Sequence, residues 1–419
     1  MIQQPNNLSL IKKYFYFFFL TSITFVLLIY KAINTEITTD EAYTFLNYSY
    51  TNDYFNIGLA NNHILNSFLV SKFAAINTTV LFIRLPNLIC GFLYVFFVMR
   101  FSLHKQYYLL LSLPFVLNPY LIDYFTLSRG YGISSFLIFL ACYFYLKPGV
   151  GDFVKPILLL SLSTLSIHTT ILFLIPFCLL HLNEMRVKYS KMVLFIGSSF
   201  LSILTIFNIY ILFNITEESK PLYGVESLSL LDVLLGSFGL NGLYGNKNLL
   251  FNLMLNVLFI SPIIFYKKLD IKHKKILIIS YSSIILMFLI PLFLSKPFPL
   301  LRTVLPFLPP FLIVITEVLN ILKKEHVKLN LNMLFVPLAF VFLFNFTNVI
   351  KVNESIDWKD GMSKNTILAI KKDSCEYEVP FQDLDHVGHY YRLINENNHL
   401  RPVSYTHLRA HETDSYLVC

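Results

Sequence analysis

Two adjacent carboxylates, Asp40 and Glu41, open the polar stretch TTDEAYTF immediately after a long apolar run. A carboxylate there can take a proton from an attacking hydroxyl, the work of a general base. The same pair can equally mark a solvated helix end, or cap a following helix through Thr39 or Asp40. Further along, NNHILNSF sets His63 beside Asn61 and Asn62. These are donors suited to a phosphate or a sugar hydroxyl, though an interfacial histidine wetted by headgroups has the same look. Arg84, in FIRLPNLI, lies inside an apolar run where an uncompensated charge is expensive. It requires an anionic partner, either a protein carboxylate or a lipid phosphate, unless it snorkels to the headgroups. In NPYLIDYFTLSRGYG, Arg129 can hold a phosphate through its planar fork, and Tyr124 or Tyr131 can stack on a sugar ring. An Asp123–Arg129 salt bridge that shapes the loop is the alternative. Lys296 and Arg302 stand among prolines in SKPFPLLRTVLPFLPP, as anion contacts or as simple anchors.

The elements that must position these groups are built for a bilayer. Of 419 residues, 55% are apolar and 14% charged, with 41 Phe and one Trp, and the mean hydropathy is +0.61. A soluble domain of this size carries more charge. The net charge of +8 does not indicate a nucleic-acid partner. The basic residues fall in short clusters between apolar runs, as the positive-inside rule expects of cytoplasmic loops. The cysteines show no regular spacing of a disulfide framework or zinc site, and no cofactor follows from them.

Apolar runs near 14–32, 80–99, 107–122, 131–146, 155–167, 169–182, 192–213, 248–266, 276–294, 303–322 and 331–349 make about eleven membrane spans. The expected fold is all-α, a polytopic transmembrane helical bundle. The 155–182 stretch reads either as two helices meeting at a turn around His168 or as one long helix. With two, and the N-terminus cytoplasmic, the inner segments collect Lys12, Lys13, Arg100, Lys105, Lys147, Lys155, Arg186, Lys188, Lys267, Lys268, Lys272 and Lys323. Segments 33–79, 214–247 and the tail from Lys351 then face the extra-cytoplasmic side, and the candidate residues gather there. The domain reading is a membrane domain over 1–349 and an extra-cytoplasmic C-terminal segment over 350–402. Residues 403–419, which begin VSYTHLRAHET, read codon for codon as a frame of a transposase sequencing adapter and are set aside with their His407 and His411.

The motifs DEAYTF, NNHILNSF, IRLPNLICG, NPYLIDYFTLSRGYG, SIHTTILFLIP and LRTVLPFLPP occur in this order over residues 14 to 320. In order and approximate spacing the chain resembles the GT-C superfamily of membrane glycosyltransferases. It is most similar to the family 39, protein O-mannosyltransferase-like, lipid A aminoarabinose transferase-like and RgtA/B/C/D-like members. The resemblance implies a GT-C bundle with a long first extra-cytoplasmic loop, and an inverting transfer from a polyprenyl-phosphate sugar donor to a lipid, glycan or protein acceptor. It implies a catalytic role for Asp40 with Glu41 as its neighbour, and substrate contacts from His63, Arg84, Arg129, Tyr131 and Arg302. Ile64 stands where the family usually has proline after the histidine, and Thr303 where an aromatic follows the late arginine. No metal is required, although some GT-C enzymes use a divalent ion. Residue usage heavy in Asn, Lys, Ile, Phe and Tyr suggests an AT-rich bacterial genome, and with it a bacterial cell membrane as the setting. A lipid-linked oligosaccharide flippase would carry its charges near the midplane, and an O-antigen polymerase or ligase would usually keep its large outer loop late in the chain.

Overall fold

The structure, a computed structural model, describes residues 7–55, 62–103, 112–113, 115–147, 153–214, 224–225, 260–294, 298–299, 301–325, 389–390 and 393. Helices dominate. They are α1 Asn7–Asn34, α2 Thr39–Thr44, α3 Ile64–Ala74, α4 Val80–Leu103, α5 Pro119–Thr126 and α6 Gly130–Leu146, followed by α7 Val154–Ser166, α8 Ile171–Lys188, α9 Lys191–Asn214, α10 Ile271–Leu294 and α11 Leu308–Glu325. The described residues also include one two-residue antiparallel pair, Gly224–Val225 with Phe298–Pro299.

Among the described residues four helices are long and apolar enough to cross a membrane: Lys13–Asn34, Val80–Leu103, Lys191–Asn208 and Leu305–Leu322. Counting the bent pair Tyr120–Thr126 and Gly130–Leu146 as one span makes five. This is an all-α protein of membrane character, but the expected eleven spans are not reached among the described residues. The shortfall has a physical reason at α7, whose 13 residues rise only about 20 Å at 1.5 Å per residue, less than the hydrocarbon core of about 30 Å. The expected spans 248–266 and 331–349 lie wholly or largely outside the described residues, as do the first part of 107–122 and most of 214–247.

Local chemistry sets the element boundaries that matter. Thr38 and Glu41 form a capping box at α2: the Thr38 hydroxyl accepts from the Glu41 N–H while the Glu41 carboxylate accepts from the Thr38 N–H. The cap is therefore Thr38, rather than the expected Thr39 or Asp40. Asn118 caps α5 by accepting from the N–H groups of Tyr120 and Leu121, with Pro119 in the first turn. Between α5 and α6 the chain bends by 116°, with Leu127 and Arg129 in extended conformation. That break releases the Ser128 backbone groups from helical bonding and makes them available to other elements.

The 155–182 stretch is two helices, broken by a 3-10 turn at His168–Thr170. Ser166 at the end of α7 donates to Gly130 O at the start of α6, 2.8 Å. At the far end Lys272 of α10 donates to Tyr145 O, 2.8 Å, and Lys188 of α8 lies over the Phe153 ring. Helices α6, α7 and α8 thus run antiparallel in turn, and Lys147, Lys155, Lys188 and Lys272 lie at one end while Asp40, Arg84 and Arg129 collect at the other.

Two glycines permit the close approach. A Cβ on Gly130 would lie 2.3 Å from Ser166 O, and one on Gly132 would lie 2.5 Å from Tyr124 O. Both obstacles are backbone and cannot swing aside. Gly130→Ala is expected to destabilise the protein by about 1–3 kcal/mol, and thermal unfolding in detergent measures it. An unchanged midpoint would mean that α6 and α7 are not in this contact.

Candidate functional site

The polar groups at the Asp40 end fall into two layers. The lower layer is closed. Arg84 donates from Nε to Glu41 Oε1 at 2.8 Å and from Nη2 to Glu41 Oε2 at 2.6 Å. Its remaining donors go to the Ala32, Thr35 and Glu36 carbonyls at 3.0, 2.7 and 2.9 Å. A guanidinium has five N–H donors, and all five are used. The Glu41 carboxylate also accepts from the backbone N–H of Thr38 at 3.0 Å and of Ser128 at 2.6 Å. Both side chains are wholly buried.

Of the two anionic partners expected for Arg84, a protein carboxylate or a lipid phosphate, the structure shows the first, and that carboxylate is Glu41. Each saturates the other, and Arg84 also satisfies carbonyls freed at the end of α1. Neither side chain has a hydrogen-bonding position left for a ligand. Burial by itself raises the Glu41 carboxyl pKa, but the Arg84 charge and the hydrogen bonds from Arg84, Thr38 and Ser128 outweigh it and hold the carboxyl below its ordinary value.

The same layer is extended by groups that sequence reasoning passed over. Ser128, whose N–H binds Glu41, presents its carbonyl to Asn66 Nδ2 at 3.2 Å, and Asn87 Nδ2 reaches Asn66 Oδ1 at 2.7 Å. Lys31 of α1 pairs with Asp123 of α5 at 3.0 Å with both side chains buried. The alternative of an Asp123–Arg129 bridge therefore gives way to two separate pairs, Lys31–Asp123 and Arg129–Asp40. A lysine inside the first apolar run was the legible signal for Lys31, and the T-x-x-E spacing was the signal for Thr38.

The upper layer is less completely paired. Arg129 Nη2 lies 2.8 Å from Asp40 Oδ2, with the Arg129 side chain 1% exposed and that of Asp40 16% exposed. Arg129 Nε and Nη1 have no hydrogen-bond partner among the described residues. A buried guanidinium with unused donors is costly, and Arg129 is less fully satisfied than Arg84 among the described residues. Its Cζ is 6.0 Å from the centroid of the Tyr131 ring. The His63 ring meets Tyr131 edge to face at 5.2 Å, and His63 is buried against Gly130.

The structure thus brings Asp40, Arg129, Tyr131 and His63 together and sets Glu41 and Arg84 behind them. Tyr124, expected as an open stacking surface, is fully buried against Tyr131 at 4.8 Å. Arg302 lies in the 3-10 stretch Leu301–Phe307, and its side chain falls outside the described residues, as do Lys296 and Asn61. Among the described residues no three His, Cys, Asp or Glu side chains come together as a metal site. Asp40 and Glu41 point to different arginines. No family model, curated protein or solved structure matches the chain.

Two outcomes follow for the closed layer. Glu41→Gln, which leaves Arg84 buried beside a neutral amide, is expected to cost about 3–5 kcal/mol, seen as a loss of folded protein and a lower unfolding midpoint. Because the folded carboxyl pKa is depressed, its contribution is complete above the unfolded value of about 4.3 and fades as pH falls through the lower folded value. Wild-type stability in detergent should fall with acidification in that window, and Glu41→Gln should lose that part of the slope. A variant with the wild-type profile would mean that the pair does not form.

Proposed function

We propose that the protein is a membrane glycosyltransferase that takes a sugar from a polyprenyl-phosphate donor and passes it to a lipid, glycan or protein hydroxyl at the extra-cytoplasmic face. The observation that carries this reading is Arg129, buried, with Nε and Nη1 unused among the described residues, and 2.8 Å from the partly exposed Asp40. An anion with several oxygens suits the open edge of that guanidinium, and a donor held in the bilayer would bring its phosphate to helix ends such as these.

The chemistry divides between the two residues. The acceptor oxygen attacks the anomeric carbon, and the bond from that carbon to the phosphate oxygen breaks with its electron pair leaving on phosphate. Asp40 takes the hydroxyl proton. Arg129 neutralises the charge that grows on the departing phosphate, which is worth most where water is excluded. Tyr131 and His63 line the same corner, with ring surface and imidazole for the sugar. Glu41 and Arg84 take no part in bond making. They hold α2, the end of α1 and the Ser128 backbone in one geometry.

The lysines at the opposite end, including Lys147, Lys155, Lys188 and Lys272, accord with a cytoplasmic face, which sets Asp40 outside and the N-terminus inside. The reading places the protein in a bacterial cell membrane, crossed several times.

Transfer of radiolabelled sugar from polyprenyl-phosphate donors in membranes tests the reading. Asp40→Asn is expected to lower transfer by about 100-fold or more at normal membrane levels, because the amide keeps the shape and cannot accept the proton. Equal transfer by both proteins would remove Asp40 from the reaction. Absence of transfer by wild type across a panel of donors would reject the transferase reading itself.

A further inference from the structure

Tyr390 lies far along the chain, yet it is completely buried against the first polar stretch. Its hydroxyl donates to Thr78 O at 2.9 Å, and its ring meets Phe45 edge to face at 5.5 Å. With Ile37, Ala42, Phe45 and Ile83 it forms an apolar cluster separate from the main core. Each of the first, second and fourth of these is the chain neighbour of a site residue: Ile37 precedes Thr38, Ala42 follows Glu41, and Ile83 precedes Arg84. Phe45 begins the π-helical turn that continues α2.

We propose that Tyr390 is a positioning residue that holds α2, and with it Asp40, in register with Arg129. Helix α2 is six residues long and too short to be stable unaided. Its polar face is fastened by Glu41 to Arg84 and Ser128. Tyr390 packs on Phe45, directly after α2, in the cluster that holds Ala42, so that α2 is gripped between an ion pair and an aromatic plug. A hydroxyl that donates to the Thr78 carbonyl fixes how deeply the plug sits. The catalytic consequence rests on the glycosyl-transfer reading; the gripping of α2 rests on the contacts alone.

The test uses the full chain in membranes or nanodiscs, with Tyr390→Ala and Tyr390→Phe beside wild type. Backbone hydrogen exchange in 38–50 is compared with exchange in 171–188 as a distant control. Tyr390→Ala is expected to speed exchange in 38–50 and leave the control unchanged. It should lower kcat by about 100-fold, the scale of a misplacement of about 1 Å, with donor KM little altered. Tyr390→Phe keeps the ring and is expected to recover most of both.

Unchanged exchange in 38–50 with unchanged kcat would overturn the proposal. A uniform rise that includes 171–188 would also overturn it, because Tyr390 would then support the whole fold and not α2. Faster exchange confined to 38–50 in a protein whose wild type transfers no sugar would uphold the grip on α2 and reject the transferase reading separately.

Discussion

The buried Glu41–Arg84 pair is the constraint on which the rest of this end of the molecule depends. It joins four pieces of chain: the end of α1, the short α2, the first turns of α4 and the extended break before α6. Two ions buried together do not by themselves guarantee net stability, because desolvation opposes the attraction. What the pair supplies is a unique arrangement. Five guanidinium donors and both carboxylate oxygens are consumed, so any shift of α2 leaves a buried group without its partner.

That closed layer explains why the neighbouring layer can be left incomplete. Arg129 emerges from the extended residues whose Ser128 is tied to Glu41 and Asn66, and Gly130 lets α7 pack directly against it. Its backbone is fixed while part of its guanidinium stays unsatisfied. Strain and unmet hydrogen-bonding capacity of this kind survive only where the surroundings over-determine the geometry. The contrast between a saturated arginine, Arg84, and one with unused donors among the described residues, Arg129, is the main argument for where a ligand would sit.

Much of this was legible in the sequence, and the remainder was not for definite reasons. The apolar runs announced α1, α4, α9 and α10, while the stretch around His168 allowed two helices or one long one, and the structure has two. Asp40, His63, Arg129 and Tyr131 could be singled out because charge and aromatic residues near span ends are rare and costly. What composition could not decide was pairing. Asp123 and Arg129 are close in sequence, yet Asp123 turns to Lys31 and Arg129 to Asp40, because the 116° bend sends the two side chains to different helices. Nor could one sequence separate the two acidic neighbours. Successive residues on α2 point about 100° apart, and that rotation alone sends Asp40 to Arg129 and Glu41 to Arg84. Tyr390 carried no signal, since an aromatic residue in a polar tail gives no indication of the surface it will fill.

The most direct test of the central claim is the affinity of the purified protein in nanodiscs for a polyprenyl phosphate that bears no sugar, comparing wild type with Arg129→Gln after both are shown to be folded. Loss of charged hydrogen bonds of about 1.5–3 kcal/mol corresponds to a Kd weakened by about 10-fold to 100-fold, and the account predicts a loss in that range. An Arg129→Gln protein that binds the lipid phosphate as tightly as wild type would contradict it, because the open donors of Arg129 would then face no anion.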